Sequence, residues 1–268
     1  MGGGLMARVF VSGSSTGLGL MAGELLAEQG HQVVLHARND ARAKDTRNAL
    51  PKAEVVVGDL SSIAATRRVA EQANKLGPYD AVIHNAGVGY QERRRVETED
   101  GLPQVFAVNT LAPYILTALI GKPKRLVYLS SGMHRSAEAN LDDLAWKKRS
   151  WQGSQAYAES KLHDALLAFA VARRWPGVKS NAVEPGWVAT RMGGAGAPDD
   201  LNQAHRTQVW LAVSDDPAAL VTGRYFFHMQ QRPVNPQAND VALQDRLVEA
   251  CERLSGIRLP NGISIGHT

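Results

Sequence analysis

Tyr157 and Lys161, in the segment "YAESK", have the residue types and spacing that most directly imply proton chemistry in this chain. Four residues apart in a helical pattern, they stand on one face, about a turn from each other. A free phenol titrates near pKa ~10 and is a poor base at neutral pH. An ammonium held beside it favours the phenolate, so the pair can work as a general acid or base. The plain alternative is a buried tyrosine and a surface lysine on an amphipathic helix. Ser130 and Ser131 close an apolar run, "KRLVYLSS", at the end where open α/β sheets present ligand groups. A hydroxyl there can hold a substrate oxygen against Tyr157, while turn chemistry accounts for its neighbour.

A second feature lies near the start. "VFVSGSSTGLGLMAGELLAEQG", residues 9–30, passes from an apolar run through a loop broken by Gly13, Gly17 and Gly19 into a helical pattern. Glycines clustered at such a junction cost backbone entropy and signal a close approach to the backbone. A strand–loop–helix unit aims backbone N–H groups and the positive helix end at one point, which suits a pyrophosphate. Gly13 then permits the turn, Gly17 the close approach, and Gly19 the packing of helix on sheet. A tight turn with no ligand is the competing reading.

The elements that must position these residues alternate along the chain. "ARVFVSG", "HQVVLHAR", "AEVVVGDL", "YDAVIHNAG", "KRLVYLSS", "VKSNAVEPG" and "GRYFFH" read as strands. Helical patterns cover 17–29 (Leu18, Met21, Leu25 and Leu26 on one face), an Arg- and Ala-rich stretch after the second strand, and 62–76, ended by Gly77 and Pro78. Further helices fall near 100–120, 155–174 and 240–255. Near-continuous Val, Ile and Leu in the strands implies burial on both faces. The expected fold is therefore α/β: a doubly wound parallel sheet of about seven strands with helices on both faces, a single-domain Rossmann fold. No repeat, low-complexity tract or linker divides residues 1–268. "GGAGAPDD", 193–200, reads as a mobile loop.

Composition bounds the function. At 44% hydrophobic and 21% charged the chain is ordinary for a globular protein, and its net charge of +4 is mild. The basic clusters "QERRRVE" and "WKKRSW" read as solvated surface, so no nucleic-acid partner is expected. No apolar run reaches membrane-spanning length, and the first residues lack a cationic apolar leader, so a cytoplasmic protein without a membrane partner is expected. Cys251 is the lone cysteine and reads as a small core residue. No metal site is expected.

The glycine spacing, Gly13-x-x-x-Gly17-x-Gly19, resembles the TGxxxGxG loop of the short-chain dehydrogenase/reductase family, with Ser12 where Thr is common. "HNAG" at 84–87 is similar to the family's NNAG element, His84 replacing its first Asn. "VNTLAP" at 108–113, "YLSS", "YAESK" and "PGWVATRM" follow in the family's order across residues 7–192. The segment between Ser131 and Tyr157 is longer than in compact members. With "SSGMH" and "LDDL" it loosely resembles the branch of retinol dehydrogenase-like and WW-domain oxidoreductase-like reductases.

The resemblance implies a nicotinamide-dependent oxidoreductase that interconverts a carbonyl and an alcohol on a small, mostly apolar substrate. It implies catalytic roles for Asn109, Ser131, Tyr157 and Lys161. Tyr157 transfers the proton, Ser131 (rather than Ser130) aligns the substrate oxygen, Lys161 also holds the nicotinamide ribose, and Asn109 holds a water linked to Lys161. Cofactor contacts are expected from Gly13, Ser14, Ser15, Thr16, Gly17, Leu18, Gly19, Asn85, Ala86, Gly87, Asn109, Tyr157, Lys161, Pro185, Gly186, Val188 and Thr190. Asp59 and Leu60 match the adenine-contacting pair. By family precedent the pro-S nicotinamide face meets the substrate.

NAD-dependent members carry an acid at the end of the second strand. Here Ala37 stands there, followed by Arg38, whose guanidinium suits a 2′-phosphate, so NADP(H) is expected over NAD(H). Two other classes compete: a dinucleotide-binding redox sensor without catalysis, and a methyltransferase, which has no use for the Tyr157–Lys161 pair. His134, Trp146 and Trp151 line the substrate pocket or merely pack a surface loop. Residues 193–268 are expected to supply a substrate lid, the last strand and the closing helix, with 132–155 and 191–200 governing access. The wide spread of Leu162, Leu166, Leu167 and Phe169 around one helix points to a homodimer or homotetramer through residues 100–120 and 155–174.

Overall fold

The computed structural model describes residues 5–262. Its strands are β1 (Arg8–Val11), β2 (Gln32–Ala37), β3 (Glu54–Val57), β4 (Ala81–His84), β5 (Arg125–Leu129), β6 (Lys179–Val183), β7 (Tyr225–Phe227) and β8 (Gln230–Gln231). They form one sheet in the order β3-β2-β1-β4-β5-β6-β7-β8. All pairings are parallel except the last, where β8 folds back on β7. The sheet thus has one strand more than the seven expected. β8 is two exposed glutamines and carries no apolar signal.

Strand alternation divides the core into two. Phe10, Val34, Val56, Val82, Leu126 and Tyr128 face one side, where α3 (Ile63–Leu76), α5 (Ala112–Leu119), α6 (Gly153–Arg174) and α9 (Val241–Ser255) pack. Val9, Val11, Leu35, Ile83, Val127 and Leu129 face the other, covered by α1 (Gly17–Glu28) and α8 (Arg206–Val213). α2 (Asp40–Ala49) joins β2 to β3, and α4 (Gln104–Phe106) leads through a π-helical turn, Ala107–Leu111, into α5. Residues 201–213, α7 (Leu201–Ala204) and α8, form two short helices that the sequence reading left unassigned.

The buried face of α1 is Gly19, Ala22, Gly23 and Leu26, and not the Leu18/Met21/Leu25/Leu26 stripe expected. The small residues let the helix come down onto the sheet. A methyl group built on Gly23 would lie 2.8 Å from Leu35 Cδ2, and one on Gly19 would lie 2.5 Å from the Gly13 carbonyl oxygen. Leu18 and Met21 are left beside the cleft described below.

α6 is buried continuously from Ala156 to Val171. Leu162, Leu166, Leu167 and Phe169 share a core with Leu247, Val248 and Cys251 of α9. The apolar girth that pointed to a partner chain is therefore covered by this chain's own last helix. Beyond α9, the Ile257 carbonyl accepts from the Tyr114 hydroxyl at 2.8 Å and the Pro260 carbonyl from Trp175 Nε1 at 2.8 Å. Leu247→Ala should cost about 2–5 kcal/mol in urea unfolding, the range for a buried leucine whose cavity cannot collapse. A loss below about 1 kcal/mol would show that α9 is not part of the core of α6.

Candidate active site

The strand order reverses at β1, which has β2 on one side and β4 on the other. Crossovers leave that junction in opposite directions and open a crevice at the strands' carboxyl ends. A cleft of about 930 Å³ lies there. It is lined by Gly13, Ser15, Thr16, Gly17 and Leu18 after β1, Arg38 after β2, Asp59 and Leu60 after β3, and Asn85, Ala86 and Gly87 after β4. Tyr157 and Lys161 of α6 and Pro185 and Thr190 after β6 complete it.

The remaining expected residues do not line the cleft. Ser14 is fully buried; its hydroxyl donates to the Val11 carbonyl at 2.7 Å and accepts from the His36 N–H at 2.8 Å. Gly19 packs against the loop from behind. Gly186 (φ +89°) is pressed against Asp199, and Val188 is buried. Asn109, in the π turn, is also fully buried: Nδ2 donates to the Val88 carbonyl and Ser160 Oγ, and Oδ1 accepts from Val88 N–H at 2.8 Å. It clamps the loop after β4.

The α1 terminus is built for an anion. α2, α3 and α9 have side-chain caps from Asn39, Ser62 and Asp240, whereas Thr16 caps α1 with no side-chain bond and no acid sits in the first turn. Its free N–H groups open onto the cleft. Gly17 has φ +58° and open space where a Cβ would stand. These features fit a pyrophosphate. The loop is pinned by Asn85, whose Nδ2 donates to the Ser12 and Gly13 carbonyls, and by the Gly13 N–H, which donates to His36 Nδ1 at 2.9 Å.

His36 was not anticipated. Its Nε2 meets the Gly58 carbonyl at 2.8 Å, so the ring is the neutral Nε2–H tautomer, and burial lowers its pKa accordingly. Arg42, also missed, lines the cleft with Arg38. The signal was present in "ARNDAR": the two arginines sit four residues apart at the start of α2.

At the other end, Lys161 Nζ donates to the Leu129 carbonyl at 2.8 Å and to Asp164 Oδ2 at 2.9 Å. It stands 5.6 Å from the Tyr157 ring centroid. Burial works against its charge, but Asp164 and Tyr157 outweigh burial and raise its pKa. Among the described residues the Tyr157 hydroxyl has only the Met192 sulfur, at 3.8 Å, as a weak acceptor. A methyl on Gly87 would meet both Asn109 Oδ1 (3.5 Å) and Lys161 Nζ (3.6 Å), so the two converge over that glycine.

The serine pair divides its work. Ser130, which lines the cleft, donates its hydroxyl proton to the Lys161 carbonyl at 2.7 Å. Ser131 is outside the lining; its Oγ accepts from Met133 N–H at 3.3 Å.

His134, Trp146 and Trp151 do not line the cleft either. His134 is fully buried, bonded to the Ser131 carbonyl (2.7 Å) and Asn235 N–H (3.2 Å) and stacked on Tyr225. Burial lowers its pKa to about 4. Trp146 and Trp151 meet edge-on, and Trp151 Nε1 donates to the Glu92 carbonyl at 2.9 Å. With Val105, Tyr90 and Met133 they form a small core behind the Tyr157 ring. In 191–200, Met192 lines the cleft, and Gly193 is packed so closely that a Cβ would fall 2.1 Å from the Val188 carbonyl oxygen. Trp187 is 56% exposed. Among the described residues there is no metal-ligating cluster and no helix long and apolar enough to cross a membrane.

Known proteins carry the same pattern. Residues 13–220 match the family model described as enoyl-(acyl carrier protein) reductase. A short-chain dehydrogenase of Penicillium rubens is 43% identical, over 95% of this chain and all of that one. Human retinol dehydrogenase 13 is 30% identical, over 94% of this chain and 86% of its own. The crystal structure of an uncharacterized protein from Mycobacterium paratuberculosis superposes with a TM-score of 0.80 at 25% identity, covering 95% of each chain. The chain belongs to the short-chain dehydrogenase/reductase family and is an NAD(P)-dependent oxidoreductase with retinol-dehydrogenase-like relatives.

The loop geometry separates two glycines. Gly13→Ala forces a side chain at φ +61° into the Ala86 backbone, 2.5 Å from its Cα. Gly17→Ala meets open space and carries only the left-handed backbone penalty of about 1–2 kcal/mol. Calorimetry of the protein without nucleotide should show the larger loss of melting temperature for Gly13→Ala. Equal losses would contradict the close contact.

Proposed function

We propose that the protein reduces the carbonyl group of a small, mostly apolar ketone or aldehyde with NADPH, and runs the reverse alcohol oxidation with NADP⁺. The observation that carries this reading is the Tyr157 hydroxyl, which faces the cleft beside Lys161 with only a thioether as partner among the described residues. A poor acceptor is readily displaced by a substrate oxygen. The convergence of Lys161 and Asn109 on Gly87, with the Tyr157 ring beside Lys161, favours catalysis over a silent redox sensor.

When bound, the nicotinamide supplies or accepts the hydride. Tyr157 donates its proton to the substrate oxygen as negative charge develops there. Ser131, one residue beyond the lining residue Ser130, holds that oxygen: its lone pair accepts from Met133 N–H, which leaves its own proton to donate, and it must reach the cleft from just outside its lining. Ser130 has spent its proton on the Lys161 carbonyl and serves as structure. Lys161, fixed by the Leu129 carbonyl, keeps a positive charge near the phenol and reaches the ribose side of the cleft. The uncapped end of α1 takes the pyrophosphate, and Asp59 and Leu60 flank the adenine. Val88, Val108, Met192 and Leu201 give the cleft its apolar part.

NADP(H) is favoured over NAD(H) because two guanidiniums, Arg38 and Arg42, line the cleft beyond Ala37, where an acid would be needed for the ribose hydroxyls. Arg38→Ala and Arg42→Ala should each weaken NADP⁺ at least about tenfold while changing NAD⁺ little, as charge-assisted phosphate contacts are lost. Calorimetric titration checks this, and equal weakening of both nucleotides would sink it.

Tyr157→Phe should retain NADPH affinity and lower turnover by at least about 100-fold, the usual contribution of a positioned acid. A screen of ketones and aldehydes, followed by this variant on whichever substrate turns over, is the test. Wild-type kcat in the variant would remove Tyr157 from the chemistry.

A further inference from the structure

Asp164 lies three residues beyond Lys161 and has no part in the roles above. Its Oδ2 is 2.9 Å from Lys161 Nζ, and the two side chains are 2% and 5% exposed. The other partner of the ammonium is a neutral carbonyl, that of Leu129. A buried ion pair beside the acid of a reaction changes the field that acid feels.

The groups around the pair leave Asp164 as its only counter-charge among the described residues. On the same helix, Tyr157 faces Lys161, and Glu159 is neutralised at 2.5 Å by Arg149 from the segment before the helix. His163 turns away to Thr110 and the Ala139 carbonyl. From β5, Tyr128 bonds Thr117 Oγ1 at 2.7 Å; from β4, His84 bonds the same hydroxyl at 2.9 Å and is held neutral by burial. The turn after β5 brings His134, also neutral, and Arg135, which is tied to Glu184. From the π turn come Asn109 and Thr110, and from α9 the buried thiol of Cys251.

The geometry points to Asp164 as a positioning residue: paired with Lys161, it cancels at the Tyr157 phenol much of the positive charge that would draw off the phenolic proton. Burial pushes the Asp164 carboxyl up, and the Lys161 ammonium beside it pulls the other way.

The inference rests on Tyr157 being the acid, yet it is read on the phenol itself, without substrate. Ultraviolet difference titration at the tyrosinate band, wild type minus Tyr157→Phe, isolates the Tyr157 signal. The same difference in an Asp164→Asn background should show its midpoint lower by about one pH unit, because an uncancelled cation favours the phenolate. An unmoved midpoint overturns the proposal. A raised midpoint overturns it too, since loss of charge on Lys161 would then outweigh loss of its counter-charge. Should Asp164→Asn fail to fold, carbon-13 resonances of the wild-type protein give the reading. The Tyr157 Cζ signal should step as the Asp164 carboxyl titrates, and no step overturns the proposal. Loss of turnover in Tyr157→Phe is judged separately, so either idea can fail alone.

Discussion

α6 and β5 hold each other at a single residue. Lys161 donates from its ammonium to the carbonyl of Leu129, and its own carbonyl accepts the hydroxyl proton of Ser130. Both bonds are buried, where an unmade partner is costly, so the pair fixes the axial position of the helix on the sheet. Everything at the reacting end follows from that register. Tyr157 sits one turn earlier on α6, Ser131 one residue later than β5's final bond, and Asp164 within reach of the same ammonium. Turning the helix by one residue would remove the lysine from its carbonyl and the phenol from the cleft.

The other end depends on a helix that comes unusually close. Gly19, Ala22 and Gly23 let α1 settle onto β1 and β2, so the loop before it lies against Ala86 and Asn85 after β4. The helix end then faces the crevice with free N–H groups, next to two guanidiniums. The α1 terminus and the two guanidiniums thus share one cleft. His36 makes the arrangement rigid by bonding the loop at Gly13 and β3's exit at Gly58 simultaneously.

Local chemistry was legible in the sequence, and what depended on contact across the fold was not. The glycine loop, the strand pattern and the four-residue spacing of Tyr157 and Lys161 each report a local geometry. The face of α1 was misjudged because hydrophobicity alone marks Leu18 and Met21 as core, while the sheet selects the small residues. The girth of α6 was correctly seen as too apolar for one contact, but α9, about 80 residues later, supplies the second surface. His134 and the tryptophans of 132–155 looked like pocket residues because they are aromatic and near the serines. They are instead backing for Tyr157 and for the turn that presents Ser131. Asp164 was passed over since an acid on a helix is ordinary until its burial is known.

In the proposed binding mode the uncapped end of α1 receives a nicotinamide dinucleotide and α6 presents Tyr157 to it. A crystal structure with bound NADP⁺ tests this most directly. The pyrophosphate should accept hydrogen bonds from the backbone N–H groups of residues 16–18, the 2′-phosphate should lie between Arg38 and Arg42, and the nicotinamide should stand over Gly87 toward Tyr157. A nucleotide bound elsewhere, or in this cleft with its nicotinamide away from Tyr157, would contradict it.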